Sequence, residues 1–311
     1  MAKTPLMAQY KEVKEKYRDC LLFYRLGDFY ERFYDDALTA SHELELTLTG
    51  KSAGQDGRVP MCGVPFHAAE LYIYRLIQKG YKVAICEQLE DPKKAKGLVK
   101  RDVIRVITPG TILFENSIAD KSNNYLIYLL EADKEIAAVL ADVLTGECWW
   151  GTWDKKKEQD AFFDLLSVYS PAEAVRLVSD DFYEKLSRFA AARLGACLLT
   201  RRDDEDESAI PPAAASIENR HVQKAFALLS GYLKEVMRSE AADFHDPRPI
   251  REDHTLTLTE ECLRNLEITR NMRDGGRRGT LLELLDYTHT AMGARLLKRS
   301  LERPLTDVNR I

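Results

Sequence analysis

Residues 21–33 read LLFYRLGDFYERF, and the first domain is expected to be built around them. The segment opens with an apolar run, Leu21 to Tyr24, which is the pattern of a buried strand. Gly27 and Asp28 then predict a turn. The sequence therefore predicts a core strand that ends at an exposed corner of the domain.

Two conformations remain open for residues 29–33, FYERF. A helix would place Phe29 and Phe33 on one stripe facing the core, with Glu31 in solvent. An extended segment would make Phe29 and Glu31 project together, because residues i and i+2 of a strand share a face. In that case an aromatic ring and a carboxylate would stand side by side just past the turn.

Four segments, in this order along the chain, carry a family resemblance. They are GDFYERFYDDA at 27–37, PMCGVPFHA at 60–68, VAICEQLEDP at 83–92 and VITPGT at 106–111. Together they resemble the N-terminal domain of the MutS family, the bacterial proteins that recognise DNA mismatches. Residues 268–305, from ITRNMRDGG to LERPL, resemble the start of the same family's helical core. The resemblance implies that Phe29 and Glu31, from the GDFYE motif, are the mismatch-reading pair.

Further DNA-contact candidates come from two other segments. Pro60–His67 is predicted to be a loop carrying apolar side chains, a common setting for binding residues. The resemblance places this loop beside the minor groove, which makes Met61 and His67 candidates. The basic stretch Asp91–Arg105 offers phosphate contacts, which fix position but read no sequence. Its candidates are Lys93, Lys94, Lys96, Lys100, Arg101 and Arg105. A merely solvated loop is the alternative for this stretch.

The fold class is predicted to be multidomain α/β. A mixed-sheet mismatch-recognition domain is expected at 1–115 and a polar linker at 116–124. Three strand-like runs, Tyr125–Leu130, Ile136–Asp142 and Glu147–Trp153, predict a β-meander. The resemblance implies that 125–245 is a connector domain with a ribonuclease-H-like fold. It also implies that 246–311 begins an all-helical core and lever domain, so that the chain is the N-terminal part of a longer protein.

Composition and charge set the broad class. Apolar residues make up 45% and charged residues 31% of the 311, as in ordinary soluble domains. Residues 1–112 carry 18 basic and 15 acidic side chains and residues 246–311 carry 12 and 11, whereas residues 113–245 carry 15 and 24. Only the flanks of the chain are therefore suited to approach a polyanion. The six scattered cysteines predict reduced, mainly buried thiols in a cytoplasmic protein, with no metal site. No apolar run approaches the length of about 18 residues that a membrane span needs.

The expected function is recognition of mismatched or looped-out base pairs in duplex DNA, as the first step of mismatch repair. Phe29 would enter the minor groove and Glu31 would contact the displaced base. Gly50–Lys51–Ser52 is not a phosphate-binding loop, because Glu45 stands where that motif requires Gly. The chain itself is therefore expected to have no cofactor and no enzymatic activity. In the complete family the resemblance implies ATP and Mg²⁺, a MutL-type repair partner and a homodimer.

Two alternatives of other classes stay open. A nuclease could be built on the ribonuclease-H-like domain, where Asp142, Glu147 and Asp164 lie near predicted strands, although no spacing among them fixes a two-metal site. A protein–protein scaffold could instead use the acidic middle of the chain. Metal-dependent cleavage of nucleic acid would favour the nuclease, and DNA-independent capture of partner proteins would favour the scaffold.

Overall fold

A computed structural model describes most of the chain. The described residues are 4–54, 57–90, 97–112, 123–195, 197–202, 209–238, 244–250, 255–256 and 258–311. The chain divides into two compact units, Met1–Thr111 with Tyr232–Ala241, and Ile112–Gly231 with Ala242–Ile311. No described helix combines the length and apolar character that crossing a membrane requires.

The helices and strands alternate along the chain. The helices are α1 (Pro5–Lys16), α2 (Tyr34–Leu44), α3 (Ala69–Gln78), α4 (Gln159–Tyr169), α5 (Asp180–Phe189), α6 (Arg220–Met237), α7 (Glu260–Asn265), α8 (Leu281–Leu285) and α9 (Ala291–Glu302). The strands are β1 (Cys20–Leu26), β2 (Phe29–Phe33), β3 (Thr49–Ser52), β4 (Arg58–Pro65), β5 (Lys82–Gln88), β6 (Arg101–Ile107), β7 (Tyr125–Glu131), β8 (Glu135–Asp142), β9 (Glu147–Asp154), β10 (Glu173–Leu177), β11 (Leu198–Arg201) and β12 (His245–Pro249). Both units are mixed α/β, which confirms the coarse fold class.

The first unit is built on a six-stranded mixed sheet in the order β3-β4-β2-β1-β5-β6. Strand β1 pairs antiparallel with β2 and parallel with β5, so it lies in the middle of the sheet. Its residues Leu21–Tyr24 are buried, as the apolar run predicts. The central position of β1 makes the segment that follows it, β2, an extension of the rigid core.

Around the motif the structure excludes one of the two open alternatives and contradicts one prediction. Residues 29–33 are not helical: they form β2, and α2 begins only at Tyr34. Cross-strand hydrogen bonding to β1 and β4 on both sides outweighs the helical spacing of the two phenylalanines. Residues 60–65 are not a loop but most of β4, which pairs with β2 and β3. Only Phe66–Ala68, a short 3₁₀ turn, departs from the strand.

The second unit contains another six-stranded mixed sheet, ordered β11-β10-β7-β8-β9-β12. Strands β7, β8 and β9 form the predicted antiparallel meander. Strand β10 then pairs parallel with both β7 and β11, and β12 pairs parallel with β9. Helices α4 and α5 contribute Phe162, Leu166 and Leu186 to the core beside this sheet.

The last described helix packs against the same unit through arginine side chains. Arg299 pairs with Glu147 at 3.1 Å, and Arg303 donates to the Tyr169 hydroxyl at 2.5 Å. Arg303 also donates to the carbonyl of Ile250, just past β12. The expected boundary between residues 245 and 246 falls inside β12. The expected linker at 116–124 lies outside the described residues except for its last two.

Candidate nucleic-acid interface

The tip of the β1–β2 hairpin presents Phe29 to solvent. Gly27 and Asp28 connect the strands, with Leu26 paired to Phe29 across the turn. Gly27 has φ of 59°, and a two-residue hairpin with a positive φ at its first central position favours glycine there. Phe29 is 46% exposed, whereas Phe33, on the same face, is fully buried. The strand is therefore anchored at one end and offers an aromatic ring at the other.

Phe29 and Glu31 share one face of β2, as an extended segment requires. Glu31 is paired across the sheet with Gly63 of β4. A Cβ built on Gly63 would lie 3.6 Å from Cγ of Glu31 and 3.8 Å from Cδ1 of Phe29. The glycine thus leaves the space beside the two side chains open, which a longer residue would fill.

Glu31 has a cationic partner. The Lys51 Nζ on edge strand β3 lies 2.5 Å from Glu31 Oε2. The Lys51 Nζ also lies 5.5 Å from the centre of the Phe33 ring. The Glu31 side chain is 17% exposed and the Lys51 side chain 31%. The Glu31 carboxylate is therefore paired, in the protein without DNA, with a lysine from edge strand β3, on the far side of β4.

Arg25 of β1 contacts several groups around the hairpin tip. Its guanidinium lies 3.7 Å from the centre of the Phe66 ring and pairs with Glu87 at 3.4 Å. Its Nε donates to the Gly27 carbonyl at 2.5 Å, inside the turn itself. The Phe66 amide donates to the Asp28 carbonyl at 2.9 Å. These contacts fix the corner from which Phe29 projects.

The opposite face of β2 is buried. Tyr30 packs on Phe23 and donates its hydroxyl to Glu87. Arg32 is fully buried and lies 4.1 Å from the centre of the Phe23 ring. None of its three side-chain nitrogens has a hydrogen-bond partner within the described parts of the chain, and burial lowers the pKa of the guanidinium. Arg32 is therefore a core residue and not available to DNA.

The structure places His67 beside the hairpin tip and Met61 opposite the other end of β2. Met61 pairs with Phe33 across β2–β4 and is half-buried on the face that carries Glu31. His67 is exposed on the 3₁₀ turn, with its ring 5.8 Å from that of Phe66. The Phe66 bond to the Asp28 carbonyl ties this turn directly to the hairpin tip.

The basic stretch divides into inward and outward side chains. Arg101 donates to the carbonyls of Arg25 and Val99 and to the Gln9 side chain. Arg105 donates to the Thr111 carbonyl at 3.2 Å, and burial lowers the pKa of its guanidinium. Lys100 is exposed. Lys93, Lys94 and Lys96 lie outside the described residues.

The three carboxylates of the nuclease alternative are Asp142, Glu147 and Asp164, and the first two have partners within the protein. Asp142 is buried and accepts from the Asn123 side chain and the Leu144 backbone amide in the β8–β9 turn. Glu147 pairs with Arg299, and Asp164 is exposed on α4. Among the described residues no cluster of three His, Cys, Asp or Glu side chains could hold a metal ion.

Comparison with known proteins identifies the family. The profile described as MutS domain I matches residues 4–116, and that of MutS domain III matches residues 261–311. The first match contains the hairpin, Gly63 and Lys51. The chain belongs to the MutS family. The MutS resemblance of the sequence motifs is thereby confirmed.

Curated relatives match along the whole chain. The DNA mismatch repair protein MutS of Carboxydothermus hydrogenoformans is 44% identical over 311 residues, covering 100% of this chain and 36% of its own length. The protein of the same name from Caldanaerobacter subterraneus subsp. tengcongensis is 41% identical over 320 residues, covering 100% and 37%. That of Symbiobacterium thermophilum is 42% identical over 321 residues, covering 99% and 37%. The chain thus spans little more than a third of the length of these relatives.

Sequence reasoning missed three residues of this corner: Arg25, Lys51 and Phe66. By itself the Gly50–Lys51–Ser52 pattern indicates only an incomplete phosphate loop, although an alternating segment ending in a lysine is also typical of an edge strand. Its contact with Glu31 joins residues 20 positions apart and depends on the β3–β4 and β2–β4 registers. No local signal specifies such a contact.

Proposed function

We propose that this MutS-family chain recognises mismatched or looped-out base pairs in duplex DNA, with Phe29 as the inserted wedge and Glu31 as the contact to the displaced base. The observation that carries the proposal is the half-exposed ring of Phe29 on an anchored hairpin, beside a carboxylate on the same face. A wedge must hold its position against the base stack. Rigid strands on both sides of β2 provide that resistance.

The energetics favour mismatched over matched DNA. Insertion of an apolar side chain from the minor groove unstacks a base step and kinks the duplex. A mismatched pair is stacked more weakly than a matched pair and therefore deforms at lower cost. Stacking on Phe29 returns about 1–3 kcal/mol per base, which offsets part of the deformation. A paired base in matched DNA has its hydrogen bonds satisfied and offers little to Glu31.

The other DNA-contact candidates are proposed without assigned partner atoms on the DNA. Met61 and His67 are further minor-groove contacts, with His67 the nearer to Phe29, and Lys93, Lys94, Lys96 and Lys100 contact phosphates. Arg101 and Arg105 already donate hydrogen bonds to oxygen atoms of the protein. Their contribution to DNA binding is therefore expected to be smaller than that of the four lysines.

The domain and partner assignments belong to the same proposal. Residues 1–115 form the mismatch-recognition domain and 125–245 a ribonuclease-H-like connector, whose meander followed by parallel strands supports that fold. Residues 246–311 begin the helical core. Homodimerisation and a MutL-type partner are proposed for a full-length family member and not for this chain alone, since the chain covers only 36–37% of the length of its relatives.

ATP and Mg²⁺ chemistry is likewise proposed for the complete protein and not for this chain. Gly50, Lys51 and Ser52 form an edge strand paired to β4. A phosphate-binding loop needs successive backbone amides directed at the ligand before a helix, which this strand does not provide. Gly50, Lys51 and Ser52 therefore do not fit a nucleotide phosphate.

The substitution Phe29→Ala tests the wedge. In the complete natural protein it is expected to abolish the preference for a mismatched over a matched duplex while leaving the circular dichroism spectrum unchanged, since the ring is half-exposed. Leu38→Ala, at a position on α2 with the same 46% exposure, is the matched control and is expected to keep the preference. Fluorescence anisotropy with both duplexes measures it. An unfolded Phe29→Ala protein, or an unchanged preference, would overturn the proposal.

A further inference from the structure

The Glu31–Lys51 ion pair lies on the strand face that carries the proposed wedge, Phe29. Lys51 lies on the short edge strand β3, and both partners are partly exposed. Ion pairs of this kind contribute little to the stability of a fold. The pair instead neutralises the carboxylate that shares a strand face with the proposed wedge.

A carboxylate with one lysine partner keeps unused acceptor capacity. Lys51 bonds Oε2 of Glu31, whereas Oε1 has no hydrogen-bond partner among the described residues. An ionised carboxylate offers about four acceptor sites, so one lysine leaves room for a further donor. The residue paired with Glu31 on β4 is Gly63, which has no side chain to block that donor.

Keeping the pair together is the favourable route when DNA binds. A single negative charge pressed against a duplex meets the repulsion of the phosphates, and a neutral pair does not. Separating the pair while water is being displaced would leave two incompletely solvated charges. A base edge that bonds Oε1 while Lys51 keeps Oε2 avoids both costs.

We propose that Lys51 is a positioning residue for mismatch recognition: it holds Glu31 by one carboxylate oxygen, cancels its charge near the phosphates, and leaves the other oxygen for the displaced base. This inference rests on the proposed function of Glu31. Lys51 acts through Glu31 and does not itself read the mismatch. An ammonium or a guanidinium can fill this role, and an uncharged side chain cannot.

Binding measurements on four variants of the complete protein test the inference. Lys51→Met is expected to lower the mismatched-to-matched affinity ratio roughly tenfold, as for the loss of one charge-assisted hydrogen bond. Lys51→Arg is expected to restore most of the ratio. In a Glu31→Ala background, Lys51→Met is expected to weaken both duplexes equally, so that the ratio stays constant. A ratio change of the same size in both backgrounds would mean that Lys51 contacts DNA independently, and would overturn the inference.

The binding results for Glu31→Ala and Lys51→Met distinguish failure of the Lys51 inference from failure of the proposed function of Glu31. If Glu31→Ala lowers the ratio and Lys51→Met does not, positioning by Lys51 is wrong and the function stands. If neither substitution changes the ratio, the proposed role of Glu31 is wrong and the inference falls with it.

A second measurement needs no DNA. In the free protein, acetylation of Lys51 by a water-soluble succinimidyl ester, read by mass spectrometry, is expected to be several-fold faster in Glu31→Gln than in the unmodified chain. Lys16, whose side chain is 68% exposed, is the internal control and should not change. Equal Lys51 rates in the two proteins would show that the pair does not persist in solution, and would overturn the inference directly.

Discussion

At the residue scale, Phe29 and Phe33 show how neighbours decide the role of an aromatic side chain. Both lie on one face of β2. Phe33 packs against Tyr10 of α1, with ring centres 4.9 Å apart, and is buried. Phe29, at the hairpin tip, is half-exposed. The same residue type four positions apart therefore anchors the strand in one case and is available for stacking in the other.

Arg32 makes a stability prediction at the same scale. Its guanidinium is buried against Phe23 without a hydrogen bond from any of its nitrogens to the described residues, and burial lowers its pKa. Replacing a buried charged group by an apolar side chain of similar length removes the desolvation cost. Arg32→Met is therefore expected to raise the free energy of unfolding by about 1 kcal/mol.

Chemical denaturation followed by circular dichroism measures this change. Arg18→Met is the matched control, because Arg18 is 75% exposed and its partner Glu15 is also exposed, so little change is expected. A loss of stability in Arg32→Met larger than that in the control would mean that the buried guanidinium has a stabilising partner.

Sequence patterns predicted some of these residues and not others. The apolar run at Leu21–Tyr24 specifies a buried strand by itself, and the GDFYE motif identifies Phe29 and Glu31 through the family resemblance. The conformation of residues 29–33 could not be decided by spacing, because i, i+4 phenylalanines satisfy a helix as well as an alternating strand. Cross-strand pairing with β4 decided it, and that pairing brings together residues about 30 positions apart.

At the scale of elements, the β1–β2 turn determines where the wedge stands. Gly27 adopts φ of 59°, which costs an L-residue roughly 1–2 kcal/mol. Gly27→Ala is therefore expected to lower the free energy of unfolding by about 1 kcal/mol and to reduce the mismatch preference, since the tip is less firmly held. Denaturation and anisotropy measure the two effects.

Gly63→Ala is the matched control for the effect of Gly27→Ala on stability. Gly63 has no positive φ, and its added Cβ meets neighbours at 3.6 Å or more, an ordinary contact. Alanine in a strand interior is expected to stabilise slightly relative to glycine, by about 0.5 kcal/mol. If both substitutions destabilise equally, the turn conformation is not the cause of the Gly27 effect.

The prolines of strand β4 explain why its sequence predicts a loop. Pro60 and Pro65 are typical of loops, yet Pro65 is the last residue of the strand and Pro60 faces the short edge strand β3. By contrast the meander β7–β8–β9 was predictable, because three apolar runs separated by turn residues carry their own pattern.

At the scale of the whole molecule, charge limits how the 311-residue chain can bind DNA by itself. Residues 1–112 carry 18 basic and 15 acidic side chains, and residues 113–245 carry 15 and 24. Kinking a duplex costs on the order of 1–6 kcal/mol, which contacts on both sides of the bend must offset. The chain alone is therefore expected to bind DNA weakly, with little mismatch preference.

Phosphate contacts should nevertheless make this weak binding depend on salt. The logarithm of affinity is expected to fall with the logarithm of salt concentration by about 0.9 per phosphate neutralised. Replacing Lys93, Lys94 and Lys96 together with Gln is expected to flatten the slope equally on matched and mismatched duplexes. Anisotropy over a salt series measures it. Nanomolar, mismatch-selective binding by this chain would show that the first unit suffices without the rest of the protein.

Direct contact between residue 29 and the mismatched base is the central claim, and photocrosslinking tests it most directly. Phe29 is replaced in the complete natural protein by the photoreactive p-benzoyl-phenylalanine, and duplexes with and without one mismatch are irradiated in its presence. Crosslinks to the mismatched base or its immediate neighbour, and few or none on the matched duplex, are the predicted result. Equal crosslinking along both duplexes, or none on the mismatched duplex while it is bound, would contradict the account.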